Sequence, residues 1–413
     1  MIQKINHWNR IKLAIVAVIL LWGTILEGQI VTTPVGAQTT QTNFLESDPS
    51  DPLIPQAAQN RPLSPLEIKR LRDALDQLKA EAESEFAAGN QDQAFTIWYR
   101  EIRLRRVLGR VDEIQALGRV GGIAWQETRK SDAKLITERL ETIEQETGAE
   151  NQLNLELLLV LGRAYEQMRL PEPAARVYQQ ILTDAQERED IGAQYSALNT
   201  LGSLYLTWFN YPQAAEVYQQ LLTLAREQFD DSNETLYLEE LAYIYDQTLQ
   251  TQQAVSVKEQ LITRYRQKQK LPLLPKLQIS LADNYDTMAQ PEDASKNYQQ
   301  AFNLAWSLQQ FNYAGEALEK LAALYHNYGE PVYAVQIYQE LLKLEQQSYS
   351  SYGQMRIYDR LGKIHLEQSN YNQALEAFQA GLDLAKFLGY REAYFKGQIE
   401  TVNEQIGQQV ITN

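Results

Sequence analysis

A small residue returns every 40 positions along most of this chain, at Gly162, Gly202, Ala242, Ala282, Ala322 and Gly362, and the same step carried backwards reaches Gly122 and Ala82. Three positions beyond it stand Trp125, Tyr165, Tyr205, Tyr245, Tyr285, Tyr325 or His365. Twelve beyond stand Ala94, Ala174, Ala214, Ala254, Ala294, Ala334 or Ala374, and sixteen beyond Trp98, Tyr178, Tyr218, Tyr298, Tyr338 or Phe378. A period of this size with room for two helices per unit restricts the chain to a solenoid, because no unit can bury its apolar face without a neighbour. The expectation is an all-α array of about eight helical hairpins over residues 64–389, closed by a capping helix in 390–413. The small residues belong where paired helices cross closely, and the rings fill the space between one hairpin and the next. Tyr285, for one, is expected to be a buried wedge.

The run L-G-x-x-Y followed by A-x-x-x-Y, carried through six units from Leu161 to Gly381, resembles the tetratricopeptide repeat (TPR), with a unit six residues longer than the usual 34. The resemblance implies a right-handed superhelical solenoid of TPR-like hairpins. It also implies a binding wall on the first helix of each hairpin, lined by the residues three before, one after, and four and five after the small position. Here those positions supply Glu166; Leu206; Glu239, Tyr243 and Asp246; Asp283, Asp286 and Thr287; Glu319, His326 and Asn327; Asp359, Lys363 and Glu367. Carboxylates dominate the middle, and Asp283 and Asp286 share a helix face. Three readings stay open: a solvated acidic face, a groove for a basic or extended peptide, and a Mn²⁺ or Ca²⁺ site, which would need several converging oxygens. In each, the acids are expected to matter little for folding, since exposed like charges do not hold helices together.

Composition narrows the chemistry. The 38 basic and 53 acidic side chains give a net charge of -15, which disfavours nucleic acid and anionic membranes. The absence of cysteine excludes thiol catalysis and thiolate metal sites. No phosphate-binding loop, nucleophile elbow or zinc-helix motif is present, and the histidines are His7, His326 and His365. An enzyme is not expected; His365 stands at a tyrosine position and reads as a packed ring. Lys258 also replaces a ring, and its stem is expected to cover apolar surface while its charge reaches water.

The ends carry other signals. Lys4, Arg10 and Lys12 precede the apolar run Leu13 to Leu26, and Val35-Gly36-Ala37 follows, which is the order of a secretory signal over residues 1–37. A run of this length makes a helix of about 21 Å, short of the roughly 30 Å of membrane hydrocarbon. Pro49, Pro52, Pro55 and Pro62 make residues 38–63 read as a flexible tether. Ser64, Pro65 and Glu67 form a helix start with a capping box. In the second unit the fixed step puts Lys134 and Glu138 at core positions; a one-residue slip instead aligns Ala133, Ile136, Leu140 and Ile143, so this unit is expected to be irregular near Gly121-Gly122, with a loop around Gly148. Ile399, Val402, Ile406 and Val410 are the sealing face of the last helix. An exported, all-repeat chain of this kind resembles the cyanobacterial processing-associated TPR factors. That resemblance implies a place in the periplasm or thylakoid lumen and a role in photosystem II assembly through a precursor protein. The alternatives are an envelope-organising protein without a groove ligand and a divalent-cation (Mn) carrier.

Overall fold

The computed structural model of the protein describes residues 45–46, 50–54, 61–149 and 154–412. The expected signal segment and most of the tether lie outside the described residues. Residues 47–413 form one compact unit, to which everything below refers.

Among the described residues the unit is built of helices: α1 (Pro65–Ala87), α2 (Gln91–Arg105), α3 (Arg110–Gln126), α4 (Lys130–Ala149), α5 (Leu155–Gln167), α6 (Pro171–Glu187), α7 (Ile191–Thr207), α8 (Tyr211–Glu227), α9 (Asp231–Gln247), α10 (Thr251–Gln267), α11 (Leu274–Thr287), α12 (Pro291–Ser307), α13 (Phe311–Asn327), α14 (Pro331–Gln347), α15 (Ser351–Glu367), α16 (Tyr371–Leu388) and α17 (Glu392–Thr412). Consecutive helices pair into eight hairpins, the hairpins stack in chain order, and α17 covers α16. The start of α1 is as expected: the Ser64 backbone N–H donates to Glu67 Oε2 (2.8 Å) while the Ser64 hydroxyl oxygen accepts from the Glu67 N–H (3.4 Å). Pro171, Pro291 and Pro331 each occupy the first position of a helix, where a missing N–H is harmless. One piece of the tether is fastened down. Asp51 accepts from Arg100 Nε (2.8 Å) and Nη2 (3.0 Å), and this pairing holds its carboxyl below the usual carboxylate range.

The 40-residue period is two half-periods of 20. From α6 onward nearly every helix has 17 residues, and three more lead to the next. Residues 169, 189, 209, 229, 249, 269, 289, 309, 349 and 369 all lie at φ between 53 and 59°, and glycine stands at 329 and 389 with φ of 83 and 64°. The next residue in each turn donates its N–H five positions back, as in Asn210 N to Tyr205 O (2.8 Å) and Gln250 N to Tyr245 O (2.9 Å). This left-handed closure satisfies carbonyls that the helix end would otherwise leave open. It is used here mostly by residues with a side chain, at about 1–2 kcal/mol each.

The core follows the repeat. Ala94, Ala174, Ala214, Ala254, Ala294, Ala334 and Ala374 are fully buried. The rings sixteen beyond the small position are buried too, but over their own hairpin rather than only between hairpins. A Cβ on Gly162 would lie 2.7 Å from Tyr178 Cζ, and one on Gly362 would lie 2.5 Å from Phe378 Cε1. The tyrosines three beyond reach the second helix of the preceding hairpin: Tyr165 donates to Glu144 (2.7 Å), Tyr285 to Glu259 (2.6 Å), and Tyr245 accepts from Gln219 (2.5 Å). Tyr285 itself is only half-buried, and Trp125 is half exposed, so neither is the sealed wedge expected. His365 is half-buried, and burial pushes its imidazole below the ordinary range. At the end of the array Gly381 leaves room for Phe395, which is buried with Val402 against α16, and Ile399 and Ile406 pack beside them. The side chain of Val410 lies outside the described residues.

The second hairpin has the slip: Ile136, Leu140 and Ile143 are fully buried, Ala133 is half-buried, and Lys134 and Glu138 are exposed. Gly148 lies inside α4 rather than in a loop. The glycines of α3 do not break it; they let α5 lie directly on it. A Cβ on Gly118 would stand 2.8 Å from Ala164 Cα, and one on Gly122 would stand 3.0 Å from the Gln167 carbonyl oxygen. Elsewhere each hairpin meets the next through its second helix, whereas here the first helices α3 and α5 pack against each other.

Candidate functional site

The acidic positions of the first-helix wall are largely engaged within the protein. Asp283 accepts from the Tyr298 hydroxyl (2.5 Å) and from Lys320 Nζ at 2.8 and 2.9 Å. Asp359 accepts from the Tyr394 hydroxyl (2.7 Å) and from Lys363 (3.1 Å), whose ammonium also stands 5.5 Å from the Tyr394 ring centroid. Glu319 pairs with Arg356, His326 Nε2 with Glu367 (2.6 Å), Glu239 with the Tyr265 hydroxyl (2.6 Å), and Glu166 with the Tyr178 hydroxyl. Thr287 donates to the Asp283 carbonyl oxygen (2.8 Å). Asp286 lies beside the Tyr328 hydroxyl. Tyr243 and Asn327 are exposed, the former 6.2 Å from Tyr211 in an edge-on ring pair. Lys320, Arg356 and Tyr394 lie two helices beyond their acid partners, in α13, α15 and α17, so these carboxylates tie neighbouring units together. These acids are therefore paired rather than a row of solvated like charges. Among the described residues no group of three or more histidine and carboxylate side chains is disposed to hold a metal ion.

Lys258 is the second correction. Its side chain is 2% exposed, and its ammonium does not reach water. It donates to Asp246 Oδ1 (2.7 Å), Ser280 Oγ (2.6 Å) and Asn284 Oδ1 (2.6 Å). Asp246 stands twelve residues before Lys258, as Glu166 stands before Tyr178, so the lysine keeps the phenol's contact within the hairpin and adds two in the next. Burial lowers its ammonium pKa and Asp246 offsets part of that.

Two cavities open on the wall of hairpins one to four. A cavity of about 780 Å³ is lined by Lys79, Arg105, Asp112, Arg119, Glu166 and Arg169, among others, and sits on the α3–α5 junction that the glycines create. A second, of about 370 Å³, shares Glu166 and Arg169 with it and continues along α7 past Asn199, Ser203 and Thr207 to Trp208. Of the expected wall residues, only Glu166 lines either cavity. The others were missed although the rule was at hand: three before Ala82 and Gly122 stand Lys79 and Arg119. No rule of spacing points to Arg105, which comes from a second helix, or to the extra volume, which depends on how closely α5 sits on α3.

Residues 195–228 and 356–387 match the tetratricopeptide repeat family. The chain carries tetratricopeptide repeats. Such repeats are a protein-interaction scaffold. No curated protein matches the sequence. Solved structures similar to it include BtubC (BKLC) from P. vanneervenii, at 15% identity over 53% of this chain and 92% of that one, with a TM-score of 0.38. A signal transduction ATPase with a tetratricopeptide repeat sensor from Pyrococcus horikoshii matches at 16% identity over 82% of this chain and 52% of that one (TM-score 0.40). The apo form of RapI matches at 11% identity over 81% and 99% (TM-score 0.37). At these scores the likenesses carry no argument about function. Among the described residues no helix is long and apolar enough to cross a membrane.

Proposed function

We propose that this TPR protein is an exported scaffold that holds an extended segment of a partner protein along the first-helix wall of hairpins one to four. The observation that carries the reading is the pair of adjoining cavities along α3, α5 and α7, which share Glu166 and Arg169 and run to Trp208. Segments bind such a wall through a few anchors set in a longer polar track. The acids of hairpins five to eight remain a secondary surface for a basic stretch, through the oxygens that their internal partners leave free. Export rests on the order of charged, apolar and small residues in 1–37, and it places the mature chain in the periplasm or a thylakoid lumen. A role in photosystem II biogenesis is the narrower form of the reading, supported by export and all-repeat architecture together.

A photo-crosslinking residue placed at Ser203 or Thr207, on the wall, and in parallel at Gln220, on the second helix α8, tests this in the native host. Adducts with one protein from the wall positions, absent from Gln220, are expected. Adducts from Gln220 alone, or from neither face, would overturn it, and the former is the mark of an envelope-organising role without a groove ligand. N-terminal sequencing of the same material is expected to begin near Gln38.

A further inference from the structure

The two edges of hairpins five to eight, where the chain turns, carry opposite charge. The turns inside these hairpins, 246–250, 286–290, 327–330 and 367–370, hold Asp246, Asp286, Glu330 and Glu367 and no lysine or arginine. The turns that follow the second helices, 266–274, 306–313, 346–353 and 386–391, hold Arg266, Lys268, Lys270, Lys386 and Arg391 and no acid. On that same edge stand Trp306, Phe311, Tyr349, Tyr352, Phe387 and Tyr390, which are 45% to 90% exposed. Neighbouring turns touch: Gln310 Nε2 donates to the Pro272 carbonyl oxygen (3.0 Å), and the Tyr352 and Tyr390 rings lie 6.2 Å apart. Three of the cations meet neutral groups. Arg266 donates to Gln300 (3.4 Å), Lys268 to the Asp231 carbonyl oxygen (2.7 Å), and Lys270 stands 5.8 Å from the Tyr265 ring centroid. Lys386 faces Asp383 at 3.3 Å and Arg391 faces Asp359 at 3.9 Å. Of the acids that border these turns, Glu345 is half-buried against Gly353, and Glu392 pairs with Lys396 (3.5 Å).

We propose that this edge docks on an anionic lipid bilayer, with the rings entering the headgroup layer and the five cations meeting phosphate oxygens. Contiguous exposed apolar surface of this kind marks an interaction site. Tyrosine and tryptophan settle at the border between hydrocarbon and water because one part of each ring is apolar and another is polar. Lysine and arginine beside them are attracted by acidic headgroups, and the lack of acids in the four turns removes the repulsion that a carboxylate would suffer there. The rings stand at the tips of successive turns, an arrangement that suits a fluid surface able to close around each one. The net charge of -15 opposes approach from afar, but at physiological salt it is screened beyond about 8 Å, and the cations of this edge act within that range. The docking edge belongs to hairpins five to eight and leaves the wall of hairpins one to four unused, so it stands apart from the groove reading.

The chain has no cysteine, so a single introduced one can carry an environment-sensitive nitrobenzoxadiazole label. Ser348→Cys, on this edge, and Ser369→Cys, on the opposite edge, are labelled in the full chain and titrated with two kinds of vesicle. One is phosphatidylcholine alone, and the other is an equal mixture of phosphatidylcholine and phosphatidylglycerol. Brighter, blue-shifted emission is expected at 348 and not at 369, and with the mixed vesicles only. Tyr349 and Phe387 are 90% and 78% exposed, so the double variant Tyr349→Ser/Phe387→Ser should keep the parent's melt. Read from the label at 348, it is expected to weaken vesicle affinity roughly 10-fold, and Lys270→Gln roughly 5-fold. The local readout separates edge docking from insertion of the apolar run Leu13 to Leu26, which would bring the chain to the vesicle without changing emission at 348. Unchanged emission at 348, an equal response at 369, an equal response to both kinds of vesicle, or parent affinity in either variant would overturn the proposal.

Discussion

Replacing Lys258 with methionine tests how a charge came to sit in a column of rings. The side chain is 2% exposed, and its three short donors meet Asp246, Ser280 and Asn284 at 2.6 to 2.7 Å. Removing one partner of a buried ion pair costs about 3–5 kcal/mol, because the remaining charge stays behind in a poor solvent. Asp246 is 32% exposed, so water recovers part of that loss, and about 2–3 kcal/mol is expected. Lys258→Tyr is the informative partner. A phenol fits over an alanine elsewhere, as with Ala282 and Tyr298, and its hydroxyl can meet Asp246 as Tyr178 meets Glu166. A loss of less than about 1 kcal/mol is expected for it. Urea unfolding gives both values, and amide exchange should show protection falling first in α9 to α11, since repeats support their neighbours. If Lys258→Met unfolds at the parent's urea midpoint, the ammonium is hydrated and the argument from burial is wrong.

Three other outcomes follow from the same geometry. Phe229 is 92% exposed at φ 53°, so Phe229→Gly should raise stability by about 0.5–1 kcal/mol, the relief of left-handed strain less the added freedom of the unfolded chain; a lower urea midpoint would show that the phenyl ring makes a contact that matters. Gly118→Ala should cost about 1–3 kcal/mol, because the new methyl meets the Ala164 backbone and must push α5 away from α3; an unchanged midpoint would mean that the two helices part freely. Burial raises the phenol pKa of Tyr165, Tyr178, Tyr265 and Tyr298, with their carboxylate partners adding to it, and pushes Tyr218 up to about 12. The folded chain therefore keeps protons that the unfolded chain releases near pH 10, so this part of the stability is intact below about pH 10 and disappears as pH rises through the folded values. Urea midpoints measured with tyrosinate absorbance between about pH 9 and 12 check this, and ionisation of these rings near pH 10 in a chain that stays folded would contradict it.

The site was less legible than the fold, for reasons that particular residues make plain. Asp283 reads as an exposed acid until Lys320, 37 residues later, is seen to end beside it. Glu101 and Arg119 carry no sign in the sequence that one will be fully buried and will hold the other. Gly121 and Gly122 look like weak points in a helix, and only the position of α5 reveals them as its seat. The ten left-handed turns are occupied by phenylalanine, leucine, tyrosine, glutamine and other residues that ordinarily avoid that conformation, so the half-period of 20 shows in the chain only as Gly89, Gly109, Gly329 and Gly389.

Taken by itself, the sequence determined that the chain is a stack of helical hairpins, because the alanines at 94, 174, 214, 254, 294, 334 and 374 and the rings four beyond most of them leave a single way to bury both in series. It also determined where α1 starts, that the second hairpin slips by one, and that the last helix is a lid. Tertiary structure alone decided which charges are free. An ion pair between hairpins joins residues tens of positions apart, its partner is chosen by side-chain length and by the local tilt of one helix on the next, and neither quantity is periodic in the sequence. The same is true of the cavity at hairpins one to three, whose volume is set by the distance between α3 and α5 at one irregular step in an otherwise regular array.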